Sequence, residues 1–107
     1  MKNRVQLIGN AGNDPIIKSF EGGKKLANLT IATNDSYKND KGERVDQTEW
    51  HTVVAWGKTA EIIEKFVTKG KQIAIDGKLT HRSYDDKNGE KRYITEVVVS
   101  EIMLLGK

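Results

Sequence analysis

Thr48-Glu49-Trp50-His51-Thr52-Val53-Val54-Ala55-Trp56-Gly57-Lys58 contains both tryptophans of the chain, and its reading decides the rest. Side chains alternate across a strand, so Trp50, Thr52, Val54 and Trp56 share one face while His51, Val53 and Ala55 share the other. Two indoles therefore stand on one surface, between the polar residues Thr48 and Lys58. A buried sheet face is more usually filled by Val, Ile and Leu, and a buried indole needs a partner for its N–H. A flat aromatic pair beside a cation suits stacking on nucleic-acid bases, since every base offers a π-face. The strand alone leaves open that the indoles are ordinary core or rim residues.

Downstream of this strand the hydrophobic period lengthens from two to about 3.6. Ile62, Ile63, Phe66 and Val67 recur between Glu61, Glu64, Lys65 and Lys69, which predicts an amphipathic helix with Thr59 as N-cap and Gly70 just past its end. It is the only helix in the pattern, and its apolar stripe reads as core packing. Beyond it, Ile73, Ile75 and Leu79 mark one face of a long strand, and Gln72, Ala74, Asp76, Lys78, Thr80, Arg82 and Tyr84 the other. Gly77 predicts a bulge or sharp bend there. Asn88-Gly89 within Asp85–Glu90 predicts a hairpin tip, and the run from Lys91 to Leu105 a final strand that needs cover on both faces.

Upstream, Val5 and Leu7 alternate with Arg4 and Gln6 in a first strand, which Gly9, Gly12 and Asn13-Asp14-Pro15 break or bend before it continues through Ile16 to Phe20. Gly22-Gly23 between apolar runs predicts a hairpin. The next strand sets Ala27, Leu29 and Ile31 against Asn28, Thr30 and Ala32 and continues to Tyr37. Residues 38–47, almost wholly polar, read as a long exposed loop. The order is three strands, one helix, two strands. The expected fold class is therefore all-β: five antiparallel strands in a Greek-key barrel, the OB-fold, with one α-helix between strands 3 and 4.

The 107 residues suffice for one domain, expected to span 1–107. A hydrophobic fraction of 36% against 31% charged residues suggests a thin core, or a protomer that completes its core by association. A net charge of +3 does not by itself point to nucleic acid, so the placement of the cations matters more than their number. The sequence has no cysteine and no apolar run suited to export or to crossing a membrane, and we expect a soluble, cytoplasmic chain.

Catalysis has no candidate centre. His51 and His81 lie on different strands with no acid or thiol at ligand spacing, Asp85-Asp86 belongs to a turn, and no phosphate-cradling glycine motif occurs. No enzyme activity, cofactor or metal is expected. Binding does have a candidate centre, with Tyr37, Trp50, Trp56 and Tyr84 as aromatic platforms and Arg4, Lys18, Lys58, Lys78 and Arg82 as phosphate partners. His51 points away from the tryptophans, into the core or an interface.

Five segments, in order, carry a family resemblance: Leu7-Ile8-Gly9-Asn10 with Asp14-Pro15; Ala27-Asn28-Leu29-Thr30-Ile31-Ala32-Thr33; Thr48 to Val54; Gly57-Lys58 with Ala60-Glu61; and Arg92-Tyr93 with Thr95 to Val99. Over residues 2–105 the chain resembles the bacterial-type single-stranded DNA-binding proteins. The resemblance implies an OB-fold homotetramer wrapped by DNA, protecting single strands in replication, repair and recombination, and so associated with the nucleoid. It places the family's stacking aromatics on Tyr37, Trp50, Trp56 and Tyr84. Tyr37 and Tyr84 stand where tryptophan is familiar, and Trp56 where phenylalanine is. Thr52 replaces a basic residue seen in some members, and His51 matches a histidine of the subunit interface. Members commonly continue into a flexible linker with an acidic tip that recruits replication and repair proteins. This sequence stops at Gly106-Lys107, so such partners cannot be assigned through a tip. The alternative is an OB-fold that bridges proteins, as primosomal relatives do, with weaker DNA binding. A nuclease on this barrel lacks a centre, and an oligosaccharide binder would stack on the same aromatics.

Overall fold

In the computed structural model, residues 2–106 are described. Met1 and Lys107, the ends of the expected 1–107 domain, lie outside the described residues. The strands are β1 (Val5–Ala11), β2 (Ile16–Ser19), β3 (Lys25–Lys38), β4 (Arg44–Trp56), β5 (Gln72–Asp85) and β6 (Lys91–Leu104), with helix α1 (Gly57–Phe66) between β4 and β5. Hydrogen bonding runs β1-β5-β6-β4-β3, and β3 returns to β1 through Asn10↔Ala32 and Ala11↔Ile31. The barrel therefore closes on five walls. The expected bent first strand is resolved into two segments, with β2 pairing β3 from Ile16↔Asn28 to Ser19↔Lys25. The helix follows the third wall and precedes the fourth, as the sequence predicts.

One pairing corrects the expectation of strands that are all antiparallel. β4 and β6 meet in parallel at Val53↔Val97 and Val54↔Val98. A helix and a whole strand separate them along the chain, so no tight turn forces them to oppose. Closure depends on two close backbone approaches. A Cβ on Gly9 would overlap the carbonyl oxygen of Ala32 where β1 meets β3, and one on Gly77 would overlap that of Val98. The β5–β6 register shifts between Asp76 and Gly77, so the expected bulge is present.

The alternation read in β3 and β4 is the one observed. Ala27, Leu29, Ile31, Val53 and Ala55 are buried with Ile73, Ile75, Val97 and Val99, and α1 covers this core with Ala60 and Ile63, joined by Val67 at its C-cap. The predicted helix stripe is corrected in part, since Ile62 and Phe66 are 39% and 56% exposed. Small Ala60 takes the place one turn before Ile63, and Ala60, Ile63 and Val67 recur at i, i+3 and i+7 on the covered face. Its N-cap is Trp56, with no side-chain capping bond, and Thr59 lies inside the first turn. Gly70 caps nothing: it lies beyond the C-cap Val67, and its N–H donates to the carbonyl of Ala11 at 2.8 Å.

The expected loop over 38–47 shrinks to residues 39–43. The β3–β4 ladder continues without a slip from Leu26↔Trp56 to Lys38↔Arg44, forming a ribbon. A second ribbon, β5–β6, pairs as far as Asp85↔Lys91. Their tips use one device. Asn39 Oδ1 accepts the N–H groups of Lys41 and Glu43, and Asp86 Oδ1 accepts those of Asn88 and Glu90, all at 2.9 Å. At the third hairpin, Gly22 and Gly23 both take positive φ, 83° and 81°, in a short 3-10 turn.

Candidate nucleic-acid interface

Strand register assembles one outward wall. Ile16, Asn28, Val54, Val98 and Lys78 are successive cross-strand neighbours on β2, β3, β4, β6 and β5, and Lys18, Leu26 and Trp56 form the adjoining row. A shallow groove of about 380 Å³ runs here, lined by Lys18, Asn28, Val54, Trp56, Arg82 and Glu96 among others. Both indoles face outward, Trp50 63% and Trp56 49% exposed. They share the even-numbered phase of β4, opposite the buried Val53 and Ala55.

Each indole has its own support. Trp56 stacks on Phe20, with ring centroids 6.0 Å apart and planes at 29°. Trp50 lies across the backbone of Gly12, where an added Cβ would sit 2.5 Å from Trp50 Cζ3 and from Thr30 Oγ1. On β5, Arg82 Nε donates to Glu96 Oε1 at 2.9 Å, and Arg82 Cζ lies 5.9 Å from the centroid of the Tyr84 ring. Lys58 is exposed in the first turn of α1, two residues after Trp56.

The arrangement thus presents flat rings and cations on one accessible face. A family comparison decides what kind of face it is, because the profile of the single-strand binding protein family matches residues 2–105. The chain belongs to that family. It is 44% identical over 105 residues to single-stranded DNA-binding protein 1 of Chlorobaculum tepidum, covering 97% of this chain and 65% of that protein. To single-stranded DNA-binding protein 1 of Xylella fastidiosa it is 44% identical over 106 residues, covering 98% and 78%. Thus the chain spans about two thirds to three quarters of the length of these relatives. Among solved structures, a Plasmodium falciparum SSB in complex with ssDNA superposes with a TM-score of 0.89 at 30% identity, over 97% of this chain and 95% of that one. A deletion mutant of the single-stranded DNA binding protein from Thermus aquaticus gives 0.84 at 29% identity, over 97% and 50%.

Within this family member the expected site residues are not all brought together. Trp50, Trp56, Lys18, Lys78, Arg82 and Tyr84 share the wall described above. Tyr37 does not share it: it pairs with Val45, and an unbroken register gives it the odd-numbered phase of β3, that of Ile31. Tyr37 is exposed because the ribbon there has left the barrel, not because it lies beside Trp50. Arg4 lies on a separate patch with Gln6, Ile8, Ala74, Asp76 and Met103. Its Nε and Nη2 donate to the Asp76 carboxylate, Nη2 at 2.6 Å, and these bonds hold Asp76 below the usual carboxylate range. His51 keeps its inward phase, is half-buried, and places Nε2 2.9 Å from Thr33 Oγ1.

Two contributors to the wall escape the sequence reading. Phe20 has the same phase on the β2 side as Lys18, a signal present in the alternation but hidden because Phe20 closes an apolar run. Glu96 is buried on the outward wall, and nothing in Thr95-Glu96-Val97 marks it. Tyr93, 77% exposed with Lys91 Nζ 5.9 Å from its ring centroid, is a further aromatic, on the opposite phase of β6. Among the described residues no three His, Asp or Glu side chains gather as metal ligands, and no helix is long and apolar enough to cross a membrane.

Proposed function

We propose that this protein binds single-stranded DNA without regard to sequence and shields it during replication, repair and recombination. Bases stack on Trp50, Trp56 and Tyr84, with Phe20 backing Trp56 and Tyr37 engaging strand that reaches the ribbon. Lys18, Lys58, Lys78 and Arg82 meet the phosphates. Arg4, held by Asp76, is left out of this interface. The observation that carries the reading is the pair of exposed indoles on one cationic wall in a chain of this family. A bridging module of the primosomal type would not need that wall.

Stacking contributes about 1 to 3 kcal/mol per base, whereas an exposed ion pair contributes only about 0 to 1. The aromatics therefore set the salt-resistant part of the affinity and the cations its salt slope. The role is one of binding rather than catalysis, needs neither cofactor nor metal, and is exercised in the cytoplasm at the nucleoid. A homotetramer with His51 near a subunit interface fits the thin core. Fluorescence titration with oligo(dT) of graded length, across salt and beside a mass measurement of the free protein, tests the reading. Quenching that grows with occupancy supports it, and affinity no tighter than that of any mildly basic protein sinks it.

A further inference from the structure

Among the described residues Glu96 is the one buried polar or charged side chain, and it sits on the outward wall rather than in the barrel core. Its side chain is 8% exposed, its Oε1 accepts from Arg82 Nε, and its Oε2 is buried without a hydrogen bond. Burying a carboxylate with one oxygen unsatisfied is costly, and an apolar residue there would avoid that cost. An acidic group beneath a phosphate path also repels DNA. Two unfavourable features thus meet at one residue, and their common element is Arg82.

Arg82 is 54% exposed and held at Nε by Glu96, with its Cζ 5.9 Å from the centroid of the Tyr84 ring. With Nε taken, the terminal nitrogens of the guanidinium remain for a ligand. A long side chain held in this way has given up part of its rotamer freedom before any strand arrives, so less is lost on binding. We propose that Glu96 is a positioning residue for strand binding: it aims Arg82 at a phosphate next to the base stacked on Trp56. The proposal rests on reading this wall as the DNA interface.

Salt titrations of oligo(dT) binding with wild type, Arg82→Lys, Arg82→Ala, Glu96→Ala, the double alanine variant and Trp56→Ala test it. Arg82→Lys keeps the charge but loses the Nε–H, and should weaken binding by up to about fivefold, the upper end for one exposed ion pair. Glu96→Ala should weaken binding as Arg82→Ala does, with the salt slope lower by about 0.7 in both and no further loss in the double variant. A merely structural Glu96 would lower the melting temperature but leave the slope unchanged. The proposal is overturned if Glu96→Ala binds as tightly as wild type or tighter, as simple repulsion predicts, or if Arg82→Lys is indistinguishable from wild type. Because Arg82 is exposed, the lysine variant can still overturn the proposal where Glu96→Ala does not fold. If Trp56→Ala weakens binding while Arg82→Lys does not, only the positioning role is lost. If neither has an effect, the interface itself is misplaced.

Discussion

The barrel ends of the two long hairpins and their projecting ends belong to the same continuous strands, yet they obey different rules. Between Leu26 and Thr33 one face of β3 is dry, and Ala27, Leu29 and Ile31 alternate cleanly with Asn28, Thr30 and Ala32. From Asn34 to Lys38 both faces meet water, and Asp35, Ser36 and Lys38 carry no alternation although the ladder bonds continue. In the first region burial of apolar surface specifies the strand. In the second, backbone pairing and the tip alone hold it. The proposed interface lies where the two regimes meet, with the Trp56 end of β4 on the barrel and Trp50 towards the ribbon.

The largest expected effect separates these regions by stability. Ile73 is fully buried, and Ile73→Ala should cost about 2 to 5 kcal/mol in urea unfolding. Ser36→Ala on the ribbon should stay within about 0.5 kcal/mol. Similar losses at both positions would mean that the ribbon is as much a part of the cooperative core as the barrel, and the contrast would fail.

Binding should divide the other way. Trp50→Ala and Trp56→Ala should each weaken oligo(dT) binding by about 1 to 3 kcal/mol while leaving the unfolding midpoint nearly unchanged, since neither ring fills the core. Quenching that survives both substitutions would place the stacking face elsewhere. A smaller effect is expected from Gly12→Ala, whose methyl would meet Trp50 and Thr30 at 2.5 Å and force the indole to swing. In a Trp56→Phe background, where Trp50 alone emits, its emission should shift and affinity should fall by less than Trp50→Ala causes. Unchanged emission and affinity would show that Gly12 does not set the ring.

The same contrast explains what was legible in the sequence. Wherever one face is dry the alternation is readable, and the barrel strands, the face of the tryptophans and the bulge at Gly77 follow from it. Residues 38–47 read as a loop because a ribbon wet on both sides leaves no periodic signal. Tyr37 joins the tryptophans as an outer-face aromatic and by the family resemblance, but parity counted through an uninterrupted ladder sets it in the other phase. Arg4 reads as a phosphate partner from its own segment, but Asp76, 72 positions away, holds it. Glu96 is illegible for a related reason, since its partners Thr80 and Arg82 lie on β5, 14 to 16 positions away, where no local pattern reveals them.

The smallest expected effect compares the two tips, which share a cap but not a charge. Asn39 does not titrate. Asp86 does, and its bonds from Arg92, Glu90 and Asn88 hold it below the ordinary aspartate range. A carboxylate whose folded value is depressed stabilises above its unfolded value of about 3.9, and that contribution is lost as the pH falls through the folded value. In acid, therefore, hydrogen-exchange protection of the Asn88 and Glu90 amides should fall before that of the Lys41 and Glu43 amides. Asp86→Asn should make the second tip behave as the first, losing the Arg92 pair but also the acid dependence. If both tips lose protection together in wild type, the acid response belongs to the whole barrel rather than to the cap, and the charge at Asp86 is incidental to the turn.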